Sequence, residues 1–241
     1  MNSQIAAILT MDGVATGAIY VLIALGFVLI FAVTRIIFVP FGDITAFTAL
    51  TLADLEAKRL PGTASMIAAL ALVAALMEVV ALLRSGGASR IPRALLYYLA
   101  LPLVPAAVVW ATAGIMLPAP LRIALTLMLI LPLAPLLDRI VFRPIADASV
   151  LLLLIVSVAL HFALVGMGLL FFGPEGVRTQ SLIDFSTDIA GTPVSGETLL
   201  IVGSAAVFSF LLFLFFNYTL TGKALHATAM NRTGARLMGI R

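Results

Sequence analysis

The side chains with the clearest chemical potential in this sequence interrupt long apolar runs. Asp43 follows Pro40 and Gly42 inside one such run. A carboxylate at membrane depth is costly, so it needs a cavity, a polar partner or a pathway. Two interpretations stay open: Gly42, Asp43 and Thr45 line the pathway of a solute, or Asp43 caps the positive end of a broken half-helix.

Three further polar residues lie in apolar runs. Ser157 and His161 are four residues apart, so one helix face would carry a hydroxyl and an imidazole. Such a pair can mimic a nucleophile and its base, but we expect both side chains to bond neighbouring helices. No second histidine, cysteine or carboxylate stands at metal-ligand spacing from His161. Glu78 lies near the end of another run, where we expect it to pair with Arg84 or to reach the lipid headgroups.

The motifs of common enzyme classes are missing. The sequence has no G-x-S-x-G elbow, no H-E-x-x-H pair, no Walker A lysine loop and no G-x-G-x-x-G that opens a helix. It also has no cysteine, hence no thiolate metal site and no cysteine nucleophile. We therefore expect neither an enzyme nor a bound cofactor, and any energy source must be an ion gradient or a partner.

The amino-acid composition indicates that these residues lie in a membrane protein. Of the 241 residues, 63% are hydrophobic and 10% are charged, against about 25% charged in soluble domains. The apolar runs are long and unbroken, as in membrane-spanning helices, and lack the alternation of a closed barrel. The net charge of +3 is typical of cytoplasmic loops in a membrane protein, so we expect a lipid bilayer and no nucleic acid as partner.

Seven apolar segments predict an all-α, polytopic transmembrane bundle. The second is the shortest and most polar, and Pro40 makes it a candidate for a broken or re-entrant helix. No linker divides the chain, so we treat residues 1–241 as one membrane domain. The segments are Gly13–Val33, Ile36–Ala53, Thr63–Leu83, Leu95–Leu117, Leu121–Phe142, Ser149–Phe172 and Glu197–Tyr218.

Lysine and arginine predict the orientation, because cytoplasmic loops carry an excess of both. If the N-terminus is outside and all seven segments cross, ten of these residues fall inside and four outside. The inner ten are Arg35, Arg84, Arg90, Arg93, Arg139, Arg143, Lys223, Arg232, Arg236 and Arg241; the outer four are Lys58, Arg59, Arg122 and Arg178. The C-terminal segment is thus expected in the cytoplasm, provided that the second segment crosses.

The closing segment, residues 219–241, is basic and half apolar. Thr221 can cap a short helix over Gly222–Met230, which Asn231 interrupts. A second short helix is predicted to run to Met238, with Gly239 as the residue after its end.

This segment fits either the surface of another protein or anionic headgroups. Its apolar residues are mostly Ala, Leu and Met, without Trp or Phe, which favours a protein dock. Arg232 and Arg236 are four residues apart and lie on one face of the second helix. The predicted docking residues are Gly222, Lys223, Ala229, Asn231, Arg232, Ala235, Arg236 and Gly239.

Several stretches, in order, resemble the LivH/LivM permeases, the membrane subunits of branched-chain amino acid ABC importers. LTGKALHATAMNRTGARLMGI resembles the family's cytoplasmic loop, and LLDRIVFRPIADASVLLLLIVSVAL, LFFGPEG and VSGETLLI precede it in the family's order and spacing. GVATGAIYVLIALGFVLIFAVTRII resembles the first helix of the LivH branch, with Gly17, Tyr20, Leu22, Ala24, Leu25 and Gly26 in the usual places. Each motif is loose, but the ordered combination is specific and covers roughly two thirds of the chain.

The resemblance implies the architecture of an ABC-importer permease in the bacterial inner membrane. It implies two cytoplasmic ATPase subunits, a second permease subunit similar to LivM and a periplasmic solute-binding protein as partners. The transported solute would be a branched-chain amino acid or a related small solute. In that family the counterpart of the closing segment docks on the ATPase.

Departures from the family keep alternatives open. The LivH branch reads Asn-Phe-Ala-His-Gly-Glu where this chain has FVPFGD at 38–43, so the solute could instead be urea, an amide, an aromatic acid or a sugar. Residues 63–117 hold two apolar segments where about one is usual, which predicts an inserted helix. Family members continue beyond the docking loop, so we expect a shortened chain. From other classes, a gradient-driven carrier centred on Asp43 and an intramembrane enzyme using Ser157 and His161 remain alternatives.

Overall fold

A computed structural model describes residues 3–34, 36–112, 114, 115, 117–177, 179, 185–189 and 192–240. Within these ranges the chain is helical except for its loops and one short β-hairpin. The elements are α1 (Ser3–Thr34), α2 (Phe41–Glu56), α3 (Gly62–Arg84), α4 (Ile91–Leu95), α5 (Leu101–Ala111), α6 (Ala119–Ile130), α7 (Leu133–Leu137), α8 (Val150–Phe172), β1 (Ser186–Ile189), β2 (Thr192–Ser195), α9 (Gly196–Tyr218), α10 (Leu220–Met230) and α11 (Arg232–Leu237).

Several short helices join into longer ones. The 3₁₀ turn Ala88–Arg90 leads into α4, and the π-helical turn Leu96–Ala100 connects α4 to α5, so that one helix runs over Ala88–Ala111. In the same way α6, α7 and the π-helical turn Asp138–Phe142 form one interrupted helix over Ala119–Ile145. The second of these is interrupted beside Pro132, because a proline inside a helix removes a hydrogen bond and clashes with the preceding turn.

Six helices among the described residues are long and apolar enough to cross a membrane: Ile5–Thr34, Gly62–Arg84, Ala88–Ala111, Ala119–Ile145, Val150–Phe172 and Gly196–Tyr218. The chain is therefore a multi-span helical membrane protein, as predicted. These six helices correspond to six of the seven predicted segments; the second predicted segment contains only the shorter helix α2. In the second predicted segment only α2 is helical, and residues 36–40 before it are not. Pro40 explains this start, because proline lacks an N–H donor and disfavours helical conformation in the residue before it.

The chain divides into two compact units. The terminal unit comprises Met1–Phe38 and Ser181–Arg241, and the central unit comprises Val39–Gln180. The central unit contains α2 to α8. The terminal unit contains α1, the hairpin and α9 to α11.

The central unit packs around α3. Small residues along this helix, among them Ala64, Ala71 and Ala74, have no exposed surface, so neighbouring helices approach it closely. They share one apolar cluster with Leu129 and Leu136 of the interrupted helix. This cluster gives the central unit a core of its own.

Polar contacts fasten the same unit. The hydroxyls of Thr51 and Thr63 lie 2.5 Å apart, and both side chains are fully buried. The Nε of Arg139 donates to the Oε2 of Glu78, which links α3 to the helix that ends at Ile145. The expectation that Glu78 pairs with Arg84 is therefore wrong, because a partner on the facing helix reaches the carboxylate.

The terminal unit is more open. The C-terminal halves of α1 and α9 line one cavity together with α10, which directly follows α9. We therefore infer that α1 and α9 run in the same direction. In α1 the most apolar stretch has no buried residue. An antiparallel hairpin pairs Ser186 with Ser195 and Ile189 with Thr192 just before α9, and the sequence analysis missed it. Arg178 and Asp184, which precede this hairpin, lie outside the described residues.

Candidate functional site

The first candidate site lies between α2 and α8 of the central unit. The Nδ1 atom of His161 lies 2.7 Å from the Oδ2 atom of Asp43, within hydrogen-bond distance. The Asp43 side chain is nearly buried, whereas that of His161 remains 36% exposed. The two residues are 118 positions apart in sequence, so folding is required to bring them together. The pair is an ion pair whenever the imidazole is protonated.

The pair is far from both ends of α8. His161 is eleven residues from Val150 (161 − 150) and eleven from Phe172 (172 − 161), or about 16 Å from each end of the helix. If α8 crosses a bilayer, this depth is close to the midplane of the hydrocarbon region, which is about 30 Å thick.

The direction of α2 follows from its contacts along α8. The backbone N–H of Val39 donates to the Ser157 hydroxyl, at 2.9 Å, two turns into α8. At the other end, the rings of Phe47 and Phe172 stack with centroids 5.8 Å apart. The two helices therefore run parallel, with α2 beginning beside the middle of α8 rather than beside its first turn.

Ser157 has a structural contact of its own. Its side chain is fully buried, and its hydroxyl oxygen accepts the Val39 N–H, a donor that the non-helical stretch before α2 cannot satisfy within a helix. The expectation that both side chains bond neighbouring helices is confirmed for His161, which contacts Asp43 on α2, whereas Ser157 bonds the non-helical stretch before α2. Among the described contacts, no hydrogen bond joins Ser157 to His161.

The predicted pathway residues separate onto two faces of α2. Asp43 turns toward α8, whereas Gly42 and Thr45 are both exposed. A side chain added at Gly42 would enter open space, and the Thr45 hydroxyl donates to the carbonyl oxygen of Phe41 at 3.0 Å. The structure thus does not bring these three residues into one cluster.

The helix-capping interpretation of Asp43 is only partly supported. Asp43 lies in the first turn of α2, where a carboxylate interacts favourably with the helix dipole. Yet in the portion of the chain that is described, no backbone N–H of that turn donates to its side chain, and the recorded bond is to His161. The sequence could not predict this partner, because only the packing of α2 against α8 brings it close.

The closing segment forms the second candidate site. It folds into two short helices, α10 and α11, that break at Asn231 as predicted. The Asn231 side chain also caps α11, since its Oδ1 accepts the Gly234 N–H at 3.0 Å. The predicted cap of α10 is wrong: Thr219, not Thr221, accepts the Gly222 N–H at 3.0 Å. Both threonines suit a cap, so sequence alone could not choose between them.

The end of α11 matches its prediction. Gly239 has a φ of +81°, and its N–H donates to the carbonyl oxygen of Arg236 at 3.0 Å. The N–H of Ile240 donates to the carbonyl oxygen of Ala235 at 3.1 Å, which completes the double bond pattern of a Schellman motif. Ala235 is itself buried.

Gly222 fixes how α10 meets α9. A Cβ atom at this position would collide with the carbonyl oxygen of Phe215 on the last turns of α9. The Thr219 hydroxyl donates to the same carbonyl oxygen at 2.6 Å. The turn between the two helices therefore depends on a glycine at 222, which holds α10 close against the end of α9.

The closing segment presents large apolar side chains to its surroundings. Met230, Leu237 and Met238 are all about four-fifths exposed. Arg236 is exposed near them, and the side chain of Arg232 lies outside the described residues. Lys223 and Ala229 instead line cavities beside α1, so the predicted docking residues do not share one surface.

Metal sites and sequence relatives add no further constraint. No group of three or more His, Cys, Asp or Glu side chains that could hold a metal ion occurs among the residues for which the structure gives positions. Comparison of the chain with models of known protein families, with curated proteins and with solved structures finds no match. The resemblance to the LivH/LivM permeases therefore stays a prediction.

Proposed function

We propose that this chain is a membrane-spanning permease subunit of an ATP-driven ABC importer in the bacterial inner membrane. Its solute would be a branched-chain amino acid or a related small solute such as urea, an amide, an aromatic acid or a sugar. Two cytoplasmic ATPase subunits, a second permease subunit and a periplasmic solute-binding protein would complete the transporter. The proposal rests on one structural observation, the geometry of the closing segment, together with the sequence resemblance.

The closing segment suits a lever between an ATPase and the membrane helices. Gly222 and the Thr219 cap attach α10 firmly to α9, so a push on α10 would reach a membrane helix directly. Met230, Leu237 and Met238 expose apolar side chains, as residues at protein interfaces do, and methionine adapts well to a moving partner.

In this proposal the closing segment lies on the cytoplasmic side of the membrane. Because α1 and α9 run in the same direction, Thr34 and Tyr218 end on the same side of the membrane. Five long helices, α9 included, follow Thr34 in the chain up to Tyr218. An odd number of crossings would leave Thr34 and Tyr218 on opposite sides of the membrane. The segment 35–61 must therefore supply a sixth crossing, made by α2 and the non-helical residues before it.

The parallel packing of α2 on α8 agrees with this crossing. The count of lysine and arginine residues then returns to ten inside and four outside, with the N-terminus outside and the closing segment in the cytoplasm. Transporters also commonly build binding sites near the midplane from interrupted membrane helices. In this proposal Asp43 and His161 lie beside the solute pathway.

The test is an affinity pull-down of the tagged chain from a mild detergent extract, with partners identified by mass spectrometry. We expect ATPase subunits and a second permease to be recovered. Reversal of Arg232 and Arg236 to Glu should remove the ATPase, whereas the matched reversal of Lys58 and Arg59 should not. Recovery of folded chain without any ATPase, or equal loss in both variants, would contradict the proposal.

One observation favours a second candidate, a gradient-driven carrier. Asp43 and His161 are a titratable pair at mid-depth, as in proton-coupled carriers. A carrier would transport in liposomes without ATP, and Asp43→Asn would abolish that transport. The third class, an intramembrane enzyme, has weaker support because the Ser157 hydroxyl is buried and already accepts a hydrogen bond.

A further inference from the structure

The terminal unit contains a cavity that the proposed function does not use. It has a volume of about 690 Å³, which lies within the range of small-molecule sites. Its walls are the C-terminal halves of α1 and α9, with Leu29, Phe213 and Phe216 among the lining residues, and α10 closes one end. The cavity is thus apolar along the two long helices and polar where α10 begins.

The end of the cavity at α10 is polar and basic. Lys223 and His226 line it from α10, and Asn217 lines it from the last turn of α9. Among the residues that the structure describes, no carboxylate pairs with Lys223 or His226. The Asn217 side-chain nitrogen donates to the carbonyl oxygen of Phe213 at 2.9 Å, which leaves its amide oxygen for another partner.

We propose that this cavity binds an anionic phospholipid of the adjacent leaflet, with its acyl chains against α1 and α9 and its phosphate at Lys223 and His226. Charge complementarity supports this occupant, since the Lys223 ammonium, which has no ion-pair partner among the described residues, belongs to the end where a headgroup would lie. The walls belong to helices long and apolar enough to cross the membrane, so acyl chains have direct access to them. Basic pockets between membrane helices and near the cytoplasmic surface commonly hold such headgroups.

The lipid would also contact the turn that Gly222 fixes. Lys223 follows Gly222 directly, and the Lys223 N–H donates to the carbonyl oxygen of Thr219 at 3.0 Å, within the first turn of α10. A phosphate held there gains from the positive end of the helix dipole as well as from the lysine charge. This inference does not depend on an ATPase partner.

The test is native mass spectrometry of the full chain in non-ionic detergent. The probes are phosphatidylglycerol and phosphatidylethanolamine with identical acyl chains. We expect phosphatidylglycerol to be retained at least about fivefold more strongly, and Lys223→Gln to weaken it about fivefold, the effect of one basic residue at a membrane surface. Adding His226→Gln should weaken retention further.

The matched control is Arg90→Gln, which removes the same charge from an exposed position that does not line the cavity. It should change retention by less than about twofold. If Lys223→Gln and Arg90→Gln weaken the retention of phosphatidylglycerol equally, the lipid is held only by non-specific electrostatic attraction, and the proposal is overturned. Equal retention of both lipids would overturn it too, as would a lipid-free complex in which a second copy or another protein covers the cavity.

Discussion

The central and terminal units use their polar residues in opposite ways. In the central unit, Thr51, Glu78, Ser157 and Asp43 all have a partner on another segment of the same unit. In the terminal unit, polar side chains mainly cap helices or bond their own helix, and Lys223 has no ion-pair partner among the described residues. The first unit completes its own packing, whereas the second offers surfaces to lipid or to partners.

The two units also differ in burial: the central unit has more fully buried residues than the terminal unit. The cluster around α3 has several residues with no exposed surface, while α9 has only Gly196 and Ala205 buried within the described chain. In a membrane there is little hydrophobic force between helices, so packing and polar bonds must supply the cohesion. The central unit has both, whereas in the terminal unit α1 contacts α9 but few side chains of either helix are buried.

The largest expected effect concerns core packing. Leu129→Ala in the central unit should lower the free energy of unfolding by about 2–5 kcal/mol, because it leaves a cavity in a fully buried site. Leu211→Ala on α9, where the side chain is half exposed, should change it by less than about 0.5 kcal/mol. Thermal unfolding in detergent measures both. Similar losses in the two variants would remove the contrast between the units.

A smaller and more local effect is expected at the turn between α9 and α10. Gly222→Ala should destabilise this turn by about 1–3 kcal/mol, because the added Cβ forces the backbone of Phe215 to move. Limited trypsin cleavage at Lys223 should then accelerate about 5- to 150-fold. The control is Gly203→Ala on α9, where a Cβ meets no other atom. If cleavage is unchanged in the Gly222 variant, α10 is not held by this contact.

An effect of similar size is expected at the hydroxyl pair of the central unit. Thr51→Val should cost about 1–3 kcal/mol, because it leaves the buried Thr63 hydroxyl without its partner. The double variant with Thr63→Val should recover most of that loss, since both polar groups are then gone. Thermal unfolding of the two single variants and the double variant gives the coupling energy. Strict additivity would mean that the two hydroxyls do not interact.

The sequence predicted the elements that depend on local chemistry. Six of the seven predicted segments form long helices, which follow from runs of apolar residues. The break at Asn231 and the glycine after α11 follow from capping rules. The partners across segments were not predictable, because nothing in the local sequence marks Arg139 as the partner of Glu78 or His161 as the partner of Asp43. The hairpin β1–β2 was missed because its strands are only four residues long.

The most direct test of the account is whether the segment with α2 crosses the membrane. The chain has no cysteine, so single cysteines at Ser3, Arg59, Ser85 and Thr221 can be labelled without background. We expect an impermeant maleimide added outside intact cells to label Ser3→Cys and Arg59→Cys. Ser85→Cys and Thr221→Cys should react only after permeabilisation. Labelling of Ser3→Cys and Arg59→Cys from opposite sides would show that α2 does not cross, and the proposed orientation and pathway would then be wrong.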